Sequence, residues 1–156
     1  MKKLRPEVQV MALRSAPDAP LVNGVRNIFS VEALVASAPD FILLSNPTAL
    51  RAELLATVIP LGVPLFIEKP VLSDPHLAPA LRAQIEHYQV RTYVACNLRF
   101  LPCLQFLQSE LTTPPNEVNV YCGSYLPGWR PGTDWRAGYS THPEMGGGVH
   151  LDLIHE

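Results

Sequence analysis

Three side chains that could take part in proton transfer each lie in or just after an apolar stretch. Lys69 follows the apolar run at residues 63–67, and Asp152 and His155 lie in an apolar segment that begins directly after the glycines at 146–148. An ammonium group can stabilise negative charge on a reacting oxygen, and an imidazole titrates near neutral pH. These residues therefore predict general acid–base chemistry.

The spacing of Asp152 and His155 places both side chains on one face of a helix, where the carboxylate can orient the imidazole and stabilise its cation. Glu156 lies four residues after Asp152, on the same face, and stays an alternative to His155. A simple surface pair between Asp152 and His155 also stays open. With His150 these residues could suggest a metal site, but the spacing fits no common ligand set and we expect no metal.

The elements that must position these residues alternate between strand and helix. Apolar runs predict strands at 8–13, 41–45, 63–67 and 92–96, and capped helical patterns predict helices at 31–38, 46–62 and 73–89. Such alternation predicts an α/β fold, in which a parallel sheet has helices on both faces. Lys69 then lies at the carboxyl edge of the sheet, where α/β folds bind ligands.

Local signals support the predicted helix ends. Ser30 and either Ser73 or Asp74 can cap helices at their N-termini, and Gly62 can end one. Beyond residue 100 the alternation stops, and the sequence predicts a helix at 100–111, a strand at 117–125 and a long loop at 126–144. We therefore expect a domain transition that separates residues 1–98 from residues 99–156.

A glycine-rich phosphate loop is missing from the sequence. Doubly wound nucleotide-binding folds open with a strand, a G-x-G-x-x-G turn and a helix, and none of the nine glycines forms this motif. The first residues, MKKLRP, resemble the tail of the helix that would follow such a turn. We expect the first strand and the phosphate loop to lie upstream of Met1.

Composition argues against several classes of partner. The chain has 156 residues, of which 47% are hydrophobic and 17% charged, with a net charge of −2, so we expect no nucleic-acid partner. The longest uncharged run, residues 54–67, is interrupted by Pro60, Gly62 and Pro64, so we expect no membrane span. No secretion signal is evident, and three cysteines without a C-x-x-C pair predict reduced thiols in a cytoplasmic protein.

Three motifs in order carry a resemblance to a known family. FIEKP at residues 66–70, NLRF.P at 97–102 and GGGVHLDLIHE at 146–156 resemble the Gfo/Idh/MocA family of NAD(P)-dependent sugar and cyclitol oxidoreductases. The resemblance spans essentially the whole chain but only the middle of a typical member. It implies a Rossmann-like doubly wound parallel sheet without its first strand, followed by the start of an α+β domain. It also implies a parent protein that forms a homo-oligomer.

The resemblance assigns roles to matching positions. Lys69 would lie beside the nicotinamide and the substrate, and Asp152 and His155 would bind substrate and move its hydroxyl proton. Glu68 would be a hydrogen-bonding support, and Pro70 a rigid turn residue with either a trans or a cis peptide bond. Arg51 stands where many members have histidine. SNPT at residues 45–48 matches the place where the family's loop touches the cofactor, so Ser45, Asn46 and Pro47 are cofactor candidates. Arg99, in the NLRF.P motif, is a substrate candidate.

The residues after the strand predicted at 8–13, which corresponds to the second strand of the family's fold, favour NADP over NAD. NAD-specific folds have an acid there for the ribose hydroxyls, whereas an arginine suits the 2′-phosphate of NADP. In this chain Arg14 and Ser15 follow the strand predicted at 8–13, and Asp18 comes later. Arg14 and Ser15 are therefore candidate cofactor-binding residues, with a solvated Arg14 as the alternative.

The loop at 126–144 is rich in residues that bind sugars. Aromatic faces pack on sugar C–H surfaces, and arginines bind carboxylate or phosphate bidentately. The loop supplies Trp129, Arg130, Trp135, Arg136 and Tyr139, of which Trp129, Arg130 and Trp135 are candidates for binding an acidic or nucleotide-linked sugar. The alternative, that the tryptophans only anchor the loop, is equally open.

These features predict an oxidoreductase fragment that transfers hydride between NAD(P) and a sugar or cyclitol-like alcohol or ketone. Lys69 would polarise the reacting oxygen, His155 would exchange its proton and Asp152 would orient both. The rival interpretation is a truncated, non-catalytic sugar-binding or assembly module of the same fold. It predicts sugar or partner binding without nicotinamide binding.

Overall fold

A computed structural model describes residues 5–153 and shows a mixed α/β fold with parallel strands. The predicted fold class is confirmed. The chain groups into two compact units, one ending at Asp40 and the other beginning at Phe41. The domain boundary that the sequence predicts near residue 98 stays a prediction.

The first unit contains two short parallel strands and one helix. Strand β1 (Met11–Leu13) pairs with β2 (Arg26–Ile28), and helix α1 (Val31–Ala36) follows. Ser30 caps α1 as predicted, because its hydroxyl accepts a hydrogen bond of 3.1 Å from the Ala33 N–H. Strand β2 was not predicted, since its three residues include a charged and an amide side chain and show no apolar run.

The second unit is built on a three-stranded parallel sheet. Strands β3 (Ile42–Leu44), β4 (Leu65–Ile67) and β5 (Thr92–Val94) lie side by side in that order. Parallel neighbours need a crossover connection, and here helices α2 (Arg51–Val58) and α3 (Ala78–His87) provide it. The strands and helices predicted in this stretch are confirmed.

The core of the second unit lies between this sheet and α2. Six side chains, each at most 2% exposed, form its centre: Leu44, Leu65 and Ile67 from the sheet, and Leu55, Val58 and Ile59 from α2 and the turn after it. The predicted caps are confirmed, because Gly62 has a left-handed backbone with φ of 69° and Asp74 accepts from the His76 N–H. The burial of the sheet fixes where its strands end.

The predicted strand at 117–125 is wrong. Helix α4 (Pro102–Glu110) is present, but no strand follows it, and Val118 and Tyr121 are 68% and 98% exposed. A strand needs a neighbour to pair its backbone groups, and within the described residues none lies beside this stretch. Alternating apolar residues are therefore not sufficient to form a strand at 117–125.

The segment from 126 to 148 is a loop with four short 3₁₀ turns, at Leu126–Gly128, Trp135–Ala137, Tyr139–Thr141 and Pro143–Met145. Helix α5 (Val149–Leu153) begins directly after the three glycines, as predicted. Within residues 5–153, every helix is too short or too polar to cross a bilayer.

Candidate active site

The carboxyl ends of β3 and β4 bring predicted cofactor-binding residues together. The two strands are parallel neighbours with Leu44 opposite Ile67, so Ser45–Pro47 and Glu68–Lys69 emerge at one edge of the sheet. The Glu68 N–H donates to the Leu44 carbonyl at 2.9 Å and extends the pairing past the end of β4. The Lys69–Pro70 peptide bond is cis.

Arg51 ties these two strand ends to each other. Its guanidinium donates from Nη1 to the Glu68 carbonyl at 2.7 Å and to the Pro70 carbonyl, and from Nη2 to the Asn46 carbonyl. The side chain is 3% exposed. Burial lowers the pKa of Arg51, and Tyr139 and Glu68 nearby oppose that shift. Arg51 thus connects the ends of β3 and β4.

Lys69 reaches from the end of β4 to helix α5. Its Nζ donates to the backbone carbonyl of Asp152 at 3.1 Å, and Asp152 itself is 6% exposed. Two of the three residues predicted to be catalytic therefore lie in contact, although the chain separates them by 83 residues.

The carboxylate of Asp152 has its own partner in Tyr139. The Tyr139 hydroxyl donates to Asp152 Oδ1 at 3.2 Å. Burial raises the pKa of Tyr139, and the charge of Asp152 and the hydrogen bond to it act in the same direction, against smaller opposing effects of Ser140 and Arg51. The phenol is therefore a protonated donor at neutral pH, and Asp152 is held by its side chain as well as its backbone.

Two of the three glycines, Gly146 and Gly147, allow the chain to approach closely just before α5. A Cβ on Gly146 would lie 2.8 Å from Thr48 Cβ and 2.9 Å from the Ala49 nitrogen, and φ at Gly146 is +81°. A Cβ on Gly147 would lie 2.1 Å from the Tyr139 carbonyl oxygen. Only glycine fits here, so the glycines place α5, and with it Asp152, beside the end of β3.

An open cavity of about 100 Å³ adjoins Asp152. It combines hydroxyl groups, a carboxylate, an indole and aliphatic side chains, from Ser124, Leu126, Trp129, Ser140, Val149, Asp152 and Leu153. The Trp129 Nε1–H donates to the Ser124 hydroxyl, which orients the ring. Such a lining suits a ligand with both hydroxyls and apolar C–H faces.

Other predicted substrate-binding residues lie outside the lining of this cavity. Arg99 and Arg130 are exposed, and Trp135 is half-buried with the Arg136 guanidinium 4.3 Å from its ring centroid. Their roles stay predictions.

The remaining candidates lie in the first unit or beyond the described residues. Arg14 follows β1, where its backbone N–H donates to the Ile28 carbonyl at 2.9 Å; its buried Nε has no acceptor within residues 5–153. Ser15 is exposed. His155 and the alternative Glu156 fall outside the described residues.

Sequence reasoning missed the contacts that Arg51 and Tyr139 make in the site. Arg51 gave a faint signal, since a cation in the first turn of a helix opposes the helix dipole and suggests a specific contact. The composition of the loop pointed to Tyr139, but its contact with Asp152 could not be predicted, because only the fold brings the two residues together. In the described part of the chain, no three His, Cys, Asp or Glu side chains gather as metal ligands.

Comparisons with known proteins agree with this fold. No protein-family model and no curated protein matches the sequence. Among solved structures, the WlbA (WbpB) dehydrogenase from Thermus thermophilus, in complex with NAD and UDP-GlcNAcA, has a TM-score of 0.71 and 20% identity, covering 99% of this chain and 54% of that chain. The WlbA dehydrogenase from Bordetella pertussis, in complex with NADH and UDP-GlcNAcA, gives 0.52 and 21%, covering 56% and 27%.

These likenesses show the fold alone, a Rossmann-like α/β fold with parallel strands. The chain spans about half the length of the Thermus protein. The match covers nearly all of this chain. Activity, substrate and partners are therefore matters for a proposal.

Proposed function

We propose that this chain is part of an NAD(P)-dependent oxidoreductase of the Gfo/Idh/MocA type, which transfers hydride between a nicotinamide and a sugar- or cyclitol-like alcohol carbon. The contact between Lys69, at the carboxyl edge of a parallel sheet, and Asp152, beside an open cavity, carries the proposal. The three ordered motifs and the likeness to dehydrogenase structures support it.

The sheet edge fits the nicotinamide–ribose half of such a cofactor. Asn46 Oδ1 is buried and has no hydrogen-bond partner within residues 5–153, and Ser45 beside it is exposed. Ribose hydroxyls are donors that could satisfy this oxygen. The pyrophosphate half is not matched, because the sequence has no G-x-G-x-x-G turn. When bound, the nicotinamide ring accepts or supplies the hydride.

Lys69 would act on the reacting oxygen of the substrate. An ammonium has three N–H donors, and the Asp152 carbonyl uses one of them. The others can donate to the substrate oxygen and stabilise its negative charge as the hydroxyl proton leaves. Asp152 would accept a hydrogen bond from a substrate hydroxyl, while Tyr139 holds its Oδ1. In this proposal His155, or Glu156, takes the proton.

We propose a nucleotide-linked or acidic sugar as the substrate class. The similar WlbA structures contain UDP-GlcNAcA. In this chain the Trp129 ring would pack on the sugar face, and Asp152, Ser124 and Ser140 would bind its hydroxyls. The exposed Arg99 and Arg130 would meet the anionic part, and Trp135 would support the loop that carries Arg130.

Cofactor preference is part of the proposal. Arg14, with Ser15, would bind the 2′-phosphate of NADP, and the buried Arg14 Nε is a free donor among the described residues. The similar structures were solved with NAD or NADH, so the two cofactors must be compared directly. A cytoplasmic location and homo-oligomeric assembly of the parent protein stay predictions.

The test is binding of NADH and NADPH to the purified chain, followed by nicotinamide fluorescence with and without UDP-GlcNAcA. Lys69→Ala is the test variant, and Arg82→Gln on the exposed face of α3 is the matched control. Saturable binding that Lys69→Ala weakens and Arg82→Gln leaves unchanged supports the proposal. A folded chain that binds neither NADH nor NADPH would overturn it for this chain.

A second candidate is a non-catalytic sugar-binding or assembly module of the same fold, because the cavity beside Asp152 suits a sugar whether or not a nicotinamide binds. It predicts that the chain binds the sugar nucleotide and does not bind either nicotinamide. The same titration separates the two functions, because the sugar nucleotide and the nicotinamide are added independently.

A further inference from the structure

Arg51 is a buried cation whose hydrogen-bond acceptors are all backbone carbonyls. A buried charge is costly unless it is paired or well hydrogen-bonded, and a cation in the first turn of a helix also opposes the helix dipole. Arg51 is 3% exposed and begins α2, so both costs apply. An arginine in this costly position points to a role for the hydrogen bonds by which it connects the ends of β3 and β4.

Two of the three acceptors flank Lys69 in the chain, and the third lies at the end of the neighbouring strand. Nη1 binds the carbonyls of Glu68 and Pro70, which lie on either side of Lys69 in the chain, and Nη2 binds the carbonyl of Asn46 at the end of β3. One planar group therefore fixes the backbone on both sides of Lys69 relative to the neighbouring strand. Because guanidinium is rigid, it transmits this constraint better than a lysine would.

We propose that Arg51 is a positioning residue, which holds the Glu68–Pro70 turn against the end of β3 and thereby sets the place of the Lys69 ammonium beside Asp152. The catalytic consequence rests on the proposed function. The positioning itself does not, because it concerns only contacts within this chain.

The test uses the small number of lysines in the chain, which are Lys2, Lys3 and Lys69. Reductive methylation of the full chain with ¹³C-formaldehyde gives each lysine an NMR signal, and Lys69→Arg identifies the signal of Lys69 by its loss. We expect that signal to be separated from those of Lys2 and Lys3, because the ammonium is hydrogen-bonded to Asp152.

Two substitutions of Arg51 remove the bridge in different ways. Arg51→Gln keeps one donor group, and Arg51→Met removes the buried charge with little change of volume, a change that folded proteins often tolerate. We expect both variants to lose the separate Lys69 signal while circular dichroism shows a folded chain. The control Arg82→Gln, which removes an exposed pair with Glu86 on α3, should keep it.

An unchanged Lys69 signal in either folded variant would overturn the proposal. If neither variant folds, Arg51 serves the stability of the whole unit, and the specific role is likewise overturned. Nicotinamide binding is measured separately on each sample. A lost Lys69 signal in variants of a chain that binds no nicotinamide would leave the positioning role standing and remove the proposed function.

Discussion

Lys69 Nζ donates to the main-chain carbonyl of Asp152 at 3.1 Å, while the side chain of Asp152 accepts from the Tyr139 hydroxyl at 3.2 Å. Asp152 thus connects Lys69, just after β4, to Tyr139 in the loop before α5. Because Lys69 binds the backbone carbonyl and not the carboxylate, Asp152 can hold the lysine in place and still offer its side chain to the cavity.

The first prediction concerns the coupling between Tyr139 and Asp152. Removing the carboxylate charge with Asp152→Asn should lower the pKa of Tyr139, because that charge and its hydrogen bond both raise it. The measurement is an NMR titration of ¹³Cζ-tyrosine-labelled protein, with Tyr139→Phe to identify the signal. Glu110→Gln, which changes an exposed acid on α4, should leave the Tyr139 titration where it is.

The second prediction is a loss of stability in alkali. The folded chain holds the Tyr139 proton more tightly than the unfolded chain, in which tyrosine titrates near a pKa of about 10. This contribution to the free energy of unfolding is fully present below about pH 10 and falls as the pH rises through the folded pKa. Urea denaturation at increasing pH should show the decline, and Tyr139→Phe should flatten it. An equal decline in the variant would contradict the assignment.

The third prediction concerns the glycines before α5. Gly147→Ala would drive a Cβ to 2.1 Å from the Tyr139 carbonyl, so the backbone must move, and we expect a loss of about 1–3 kcal/mol in the free energy of unfolding. Gly128→Ala is the matched control, because its nearest neighbour would be an ordinary contact at 3.7 Å. Urea unfolding of both variants decides; equal midpoints would show that the close approach does not matter.

The parts of the fold that the sequence predicted are those determined locally. Apolar runs located β3, β4 and β5, and side chains that cap their own helices, such as Ser30 and Asp74, marked where those helices begin. The position of Lys69 followed from the same logic, since it comes directly after a buried strand. Strand β2 escaped notice because three mixed residues carry too little periodicity.

The parts that could not be predicted depend on partners far away in the chain. The alternation at 117–125 matches a strand, yet pairing requires a neighbour that the local sequence cannot reveal. Tyr139 lies in the site because Gly147, just before α5, has no side chain and lets the Tyr139 backbone approach closely. Arg51 was noticed as a departure from a motif, but its three carbonyl acceptors become adjacent only when β3 and β4 pair.

The fourth prediction distinguishes the two tryptophans and rests on the proposed function. Trp129 lines the cavity beside Asp152, whereas Trp135 packs under Arg136 outside that lining. If the cavity holds the sugar, Trp129→Ala should raise the Kd for UDP-GlcNAcA by roughly tenfold, because loss of an aromatic contact costs on the order of 1 kcal/mol. Trp135→Ala should leave the Kd within about twofold of the wild type, a change below about 0.5 kcal/mol. Isothermal calorimetry measures both, and the reverse pattern would move the sugar away from Asp152, which would deprive Lys69 of its substrate oxygen.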